Sequence, residues 1–115
     1  MMPEMLEATD KLLFVLINNL FEIERKNITS NDTINIGRNV ERMKEALAGL
    51  MLFYEDPMGQ PFKDTRTDLD VSISGSKTEN LVVVEVIKPI IRRGVLEHSR
   101  VIQKGIVVVK STDGE

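Results

Sequence analysis

Two β-branched runs near the C-terminal end, Leu81-Val82-Val83-Val84-Glu85-Val86-Ile87-Lys88 and Gly105-Ile106-Val107-Val108-Val109-Lys110, restrict the fold of this chain more than any other feature. Valine and isoleucine lose χ1 freedom against the preceding turn of a helix but sit well on a pleated surface, so both runs predict strands. Val108 is expected to be largely buried. Val107 and Val109 share one face, as core residues or as contact residues. Between the runs lie Pro89, Arg92, Arg93, Gly94, His98, Arg100 and Lys104. Lys88, Arg92, Arg93, Arg100 and Lys104 read either as a solvated hairpin face or as a face that binds a partner.

The charge is unevenly distributed. The 115-residue chain carries a net −3, but residues 81–110 hold six Lys/Arg against two Asp/Glu, while residues 1–80 hold nine against fourteen. A basic ribbon on an acidic protein suits an acidic protein partner, and it excludes a general nucleic-acid coat. All four phenylalanines and the tyrosine lie at or before Phe62, so the ribbon has no aromatic residue for base stacking. The absence of cysteine excludes a disulfide framework and thiolate metal ligation. No apolar run reaches the roughly 20 residues of a membrane span, and no signal peptide is recognisable, so a soluble cytoplasmic protein is expected.

The first half predicts two helices. Leu6, Thr9, Leu13, Leu16, Leu20 and Ile23 recur at alternating three- and four-residue steps after Pro3, which suits a first helical turn. Leu12, Phe14, Val15, Ile17 and Phe21 widen the apolar surface beyond what one partner helix covers. The polar cluster 27–32 is expected to break this helix. A second helix is expected to begin at Asp32 to Asn35, where a cap is available, and to carry Ile36, Val40, Met43, Leu47, Leu50 and Tyr54 as a second seam. Residues 55–61, with Pro57, Gly59 and Pro61, end it. Leu69, Val71 and Ile73 then alternate with Asp70, Ser72 and Ser74 as a half-buried strand, followed by a turn at Gly75.

The expected fold class is therefore α+β: an N-terminal helical hairpin over residues 1–56 that forms a dimeric helical bundle, then a small all-β domain over 57–115. Leu13, Leu16, Leu20, Val40, Met43, Leu47 and Leu50 are the expected dimerisation residues. No catalytic residues, metal ligands or cofactors are expected. His98 is the only histidine and no glycine-rich phosphate loop is present. Asp64, Asp68 and Asp70 read as the solvated start of a strand, with a cation-dependent enzyme as the competing reading.

The order of parts carries a resemblance. Leu12-Leu13-Phe14-Val15-Leu16-Ile17-Asn18-Asn19-Leu20 looks like a helical stretch of the type Leu-Leu-Pro-x-Leu-Asp-Asn-Leu. Gly59-Gln60-Pro61-Phe62-Lys63-Asp64 sits where Gly-x-x-Phe-Asp-Pro would fall, and residues 100–109 are similar to a closing strand Arg-x-Leu-Arg-x-Ala-x-Val-x-Val. Over about Leu12 to Lys110 the chain thus resembles the GrpE-type nucleotide exchange factors of DnaK-type chaperones. The resemblance implies a homodimer whose β domain binds the chaperone's ATPase domain and promotes ADP release, with Arg100 and Lys104 as leading contacts and Lys88, Arg92, Arg93 and Val109 beside them. The competing reading is a non-catalytic interaction or assembly module with the same helical hairpin and basic β face.

Overall fold

The computed structural model describes residues 3–30 and 36–113. The chain forms two compact units, Met1–Leu47 and Ala48–Glu115. Helix α1 spans Pro3–Ser30 and α2 spans Ile36–Gly49. The expected break at the polar cluster does not occur before Ser30, because Asn27, Thr29 and Ser30 lower helix propensity by only a few tenths of a kcal/mol each and the segment has no glycine or proline. The expected cap at Asp32 to Asn35 lies outside the described residues.

The second helix folds back towards the first. Lys44 Nζ lies 3.3 Å from Glu24 Oε2, whereas twenty residues of continuous helix would separate them by about 30 Å. Ile17, Leu20, Phe21 and Val40 are buried, while Leu12, Val15, Leu16 and Ile23 are exposed. The single seam expected for α1 is therefore split. At 3.6 residues per turn the seam sits at the edge of the buried side, with Leu20 about 40° from Leu16 towards the buried Ile17 and Phe21, and Ile23 about 20° the other way, so Leu20 turns inward while Leu16 and Ile23 face solvent. The Arg25 guanidinium covers the Phe21 ring at 4.8 Å.

The second unit contains β1 (Leu52–Glu55), β2 (Leu69–Ser74), β3 (Leu81–Lys88), β4 (Ile90–Arg93), β5 (Arg100–Gln103) and β6 (Gly105–Ser111). They form two three-stranded sheets, β1-β4-β5 and β2-β6-β3. The architecture is α+β. Strand β6 is central, parallel to β2 and antiparallel to β3. The chain changes sheet at Pro89, between β3 and β4, and at Lys104, between β5 and β6. Pro89 is buried and has no N–H to extend a ladder, and its carbonyl accepts a hydrogen bond from Gln103 Nε2 at 3.1 Å.

Residues 52–55, expected as the end of the second helix, are strand instead. The helix stops at Gly49, Met51 takes the left-handed conformation at φ 62°, and its N–H donates to the Ala48 carbonyl at 2.9 Å. Left-handed backbone costs a residue with a side chain about 1 kcal/mol. The return is burial of Leu52, which pairs with Arg93. The β unit accordingly starts before residue 57.

The core of the β unit is formed by Leu52, Leu69, Leu81, Val83, Val86, Ile90, Ile91, Val107 and Val109. Val108, expected inside, is half-buried on the opposite face, because alternation along β6 sends only Val107 and Val109 inward. Gly105 admits close packing, since a Cβ there would stand 3.0 Å from both Ile90 Cγ1 and Leu69 Cδ2. Gly94 is more restricted. Its φ is +125°, and a Cβ would lie 2.7 Å from the Ser99 Cα.

Val107→Asp should therefore destabilise the protein by about 3–5 kcal/mol or abolish folding, as an unpaired buried charge does, whereas Val108→Ser should cost less than about 1.5 kcal/mol. Gly94→Ala should cost at least about 1–3 kcal/mol through backbone strain alone. Denaturant melts of the three variants test this ranking.

Candidate functional site

The chain between Glu55 and Leu69 is held by hydrogen bonds. The Asp56 carboxylate accepts the Met58 N–H at 3.0 Å, and Gly59 turns with φ 82°. The segment then runs along the outer edge of β3. Gly59 N–H donates to the Val83 carbonyl, Val83 N–H to the Gln60 carbonyl and Phe62 N–H to the Leu81 carbonyl, all at 2.9 to 3.0 Å. Phe62 and Gln60, part of the segment singled out in the sequence, act here as an edge cover.

The densest charge cluster of the β unit lies at the end of this segment. Asp68 accepts two hydrogen bonds from Arg66, Nε to Oδ1 at 3.0 Å and Nη2 to Oδ2 at 2.9 Å. Arg92 Nη2 reaches the same Oδ2 at 3.2 Å, and Arg92 Nε donates to Glu55 Oε1 at 3.0 Å. Arg66 Nη1 donates to the Gln60 side chain at 2.9 Å. Paired guanidinium and carboxylate planes give directional, charge-assisted bonds. The network joins β1, β4 and the segment before β2, and it is substantially withdrawn from solvent, with the Asp68 side chain only 16% exposed. The hydrogen bond from Arg66 holds the Asp68 carboxyl below the usual aspartate range against the opposing effect of burial, and the charges of Arg66 and Arg92 act in the same direction. Reciprocally, the bond to Asp68 raises Arg66.

This arrangement corrects two sequence expectations. Asp68 is not a solvated strand start, and it does not join Asp64 and Asp70 in a cation site: among the described residues no group of three or more His, Asp or Glu side chains is placed to hold a metal ion. Arg92, expected on a docking face, is half-buried and committed to Asp68 and Glu55. The sequence offered little warning, because Asp68 and Arg92 are 24 positions apart and nothing local selects one arginine over its neighbour.

The other basic residues do not form one patch. Arg100 is exposed at the start of β5, directly opposite the half-buried Arg93. Lys104 follows the other end of β5, about 13 Å away at strand rise; its side chain is 53% exposed, with Nζ 3.9 Å from Asp70 Oδ1. Lys88 is exposed opposite Ile106, near Lys104. Val109 is fully buried, so it belongs to the core and offers no contact surface. His98 is exposed in a short 3-10 turn, Leu96–His98.

The expected dimerisation residues also separate. Leu20 and Val40 are buried, Leu13 and Leu47 are half-buried, and Leu16, Met43 and Leu50 are exposed at 63, 42 and 60%. No helix among the described residues is long and apolar enough to cross a membrane. No protein-family model, curated protein or solved structure matches the chain.

The Asp68 network makes acid sensitivity predictable. Because the folded-state pKa of Asp68 lies below its unfolded value, its contribution is fully present above about pH 4, the ordinary aspartate value, and is lost as pH falls through the folded pKa. Asp68→Asn should flatten that part of the stability profile, and Asp68→Ala should cost about 1–3 kcal/mol at neutral pH by leaving half-buried guanidinium donors unpaired. Urea melts between pH 2 and 7 provide the measurement.

Proposed function

We propose that this protein is a GrpE-like nucleotide exchange factor of the cytoplasm: a homodimer, joined through a helical bundle, that binds the ATPase domain of a DnaK-type chaperone through its β unit and promotes ADP release. The observation that carries the reading is the two-sided apolar character of α1. One side supplies the buried Ile17, Leu20 and Phe21, and the other presents Leu12, Val15, Leu16 and Ile23 to solvent. A helix with apolar residues on both sides suits the interior of a bundle, and two helix pairs related by a two-fold axis would cover the exposed row. Of the expected dimerisation residues, Leu16 and Met43 belong to such an interface, whereas Leu20 and Val40 support the helix pair itself.

The β unit supports the second half of the reading through charge. Arg100 and Lys104 present cations to solvent, while Arg92 is held in the ion network and Lys88 lies on the outer face of the β2-β6-β3 sheet. Guanidinium and ammonium groups at an exposed rim select an acidic surface and accelerate encounter with it. Exchange then follows from differential affinity. A β unit that binds the open nucleotide cleft better than the closed one shifts the chaperone towards the open form, and linkage requires nucleotide to weaken the complex by the same factor. No bond-making residue is needed.

The deciding experiment is release of labelled ADP from a DnaK-type chaperone with and without this protein. Acceleration is expected, and Arg100→Glu with Lys104→Glu should reduce it at least about tenfold, since reversal of rim charges acts on encounter and partner choice. The same pair should leave the melting temperature nearly unchanged, as exposed charges contribute about 0–1 kcal/mol each. Absence of acceleration, combined with tight binding to an unrelated acidic protein, would replace this reading by the assembly module.

A further inference from the structure

The residue pattern of β3 and β6 demands more cover than the β unit gives it. Strand β2 alternates, with Asp70, Ser72 and Ser74 on its outer face, as expected when one side of a sheet meets water. Strand β6 alternates in burial but carries the apolar Ile106 and Val108 on its outer face, and the alternation of β3 is interrupted. Register shifts occur in β3 between Val83 and Glu85 and between Val86 and Lys88. Each inserts one extra residue: Val84 and Ile87 turn outward by ordinary alternation after the buried Val83 and Val86, and the bulges keep Glu85 and Lys88 on the same side. Val84 and Ile87 are consequently 45 and 50% exposed, beside the half-buried Val82, Ile106 and Val108. These residues form an apolar strip on the outer face of the β2-β6-β3 sheet, and the two bulges set Glu85 and Lys88 beside it.

The ladder also fixes where the charges fall on that face. Asp70, Ile106 and Lys88 lie level across the three strands; Ser72, Val108 and Glu85 form the next row; Ser74, Lys110 and Val82 form the last. Asp70 and Glu85 against Lys88 and Lys110 make a face of mixed sign. A site for an acidic partner would be one-signed, whereas an isologous contact requires each patch to complement itself.

We propose that the outer face of the β2-β6-β3 sheet docks against the same face of a second copy of this chain, across a two-fold axis parallel to β6. That axis exchanges the β2 and β3 columns and preserves the rows. Val108 and Ile106 then meet their own counterparts, Asp70 of each copy faces Lys88 of the other, and Ser72 can donate to Glu85. Lys110 meets Lys110 at the rim, where long stems carry the ammonium groups to water. Aligned sheets pack about 10 Å apart with a rotation of about 30°, within the reach of a lysine side chain. Edge pairing through β3 is disfavoured, because the segment from Gly59 to Phe62 occupies its edge at Leu81 to Val83 and the two bulges distort the remainder.

The contact is independent of the helical bundle, and the two can be tested apart. In the full chain carrying Leu12→Lys and Leu16→Lys, which removes the exposed row of α1, sedimentation should still show a concentration-dependent dimer. Asp70→Lys or Lys88→Asp alone should each raise its dissociation constant at least about tenfold, because symmetry creates two like-charge pairs per substitution. The two together should restore it. Should the background chain fail to fold, the same three variants in the native chain give the answer as association beyond the helical dimer. Absence of association through the sheet, or failure of the double reversal to restore it, would overturn the proposal, and the latter would assign the face to a different protein.

Discussion

Insertion of β6 between β2 and β3 is the constraint on which the β unit depends. Its inward residues Val107 and Val109 are fully buried, and its parallel pairing joins Leu69 to Gly105 across most of the domain's length. Everything between those residues must be accommodated before the ladder closes, including β3, β4 and β5. Pro89 and Lys104 make this possible by sending the intervening strands into a second sheet with β1. The corners have a further effect: the ends of β3 and β5 place Lys88 and Lys104 at neighbouring solvent-exposed positions.

The Asp68 network complements that closure. Sheet pairing alone leaves the segment from Asp56 to Asp68 attached along the β3 edge only. Arg66 and Arg92 converge on one carboxylate and tie the end of the segment to β4 and, through Glu55, to β1. Partly exposed ion pairs contribute little individually, but a shared, bidentate carboxylate specifies geometry, and this one fixes where β2 begins. The cost falls on the surface. Arg92 is drawn back towards Asp68 and Glu55, and this divides the basic stretch into ion-paired and more exposed members.

Much of the β fold was legible where the physical signal is local. The runs at 81–88 and 105–110, and the alternation at 69–74, coincide with β3, β6 and β2. Strand β1 was not, because Leu47, Leu50 and Tyr54 continue the spacing of a helical seam and the reversal occurs at Met51, a residue type with no preference for left-handed backbone. Gly49 was the one available signal, as glycine marks helix ends. Strand β4 was hidden by its arginines, since a short basic stretch between Pro89 and Gly94 reads as a turn until its partner strands are known, and residues 100–109, read as one closing strand, are divided at Lys104 between β5 and β6 in different sheets. The role of Arg92 was illegible for a related reason: sequence separation conceals which of several cations meets a distant carboxylate. In α1 the residues were recognised as apolar but assigned to one seam, whereas packing divides them between two sides.

Both units share a physical property that neither reveals alone. Each satisfies one apolar side internally and leaves another facing water: Leu12, Val15, Leu16 and Ile23 on α1, and Val84 and Ile87 above β6 on the sheet. The second case is the more informative, because alternation after the buried Val83 and Val86 turns Val84 and Ile87 outward, and the two bulges add Glu85 and Lys88 to the same face rather than sending them into the core. Bulges interrupt ladder hydrogen bonds and leave a residue unpaired, so they weaken the strand that carries them. A pair of such defects within the eight residues of β3, on a strand that already turns Val84 and Ile87 outward, acts against the stability of an isolated monomer. Their outward residues acquire a physical purpose when a second surface covers them. A chain with two such surfaces on separate units can close as a symmetric tetramer if the two-fold axes intersect, and extends as an open array if they do not. The relative orientation of the helical and sheet contacts, rather than the strength of either, then decides the size of the assembly.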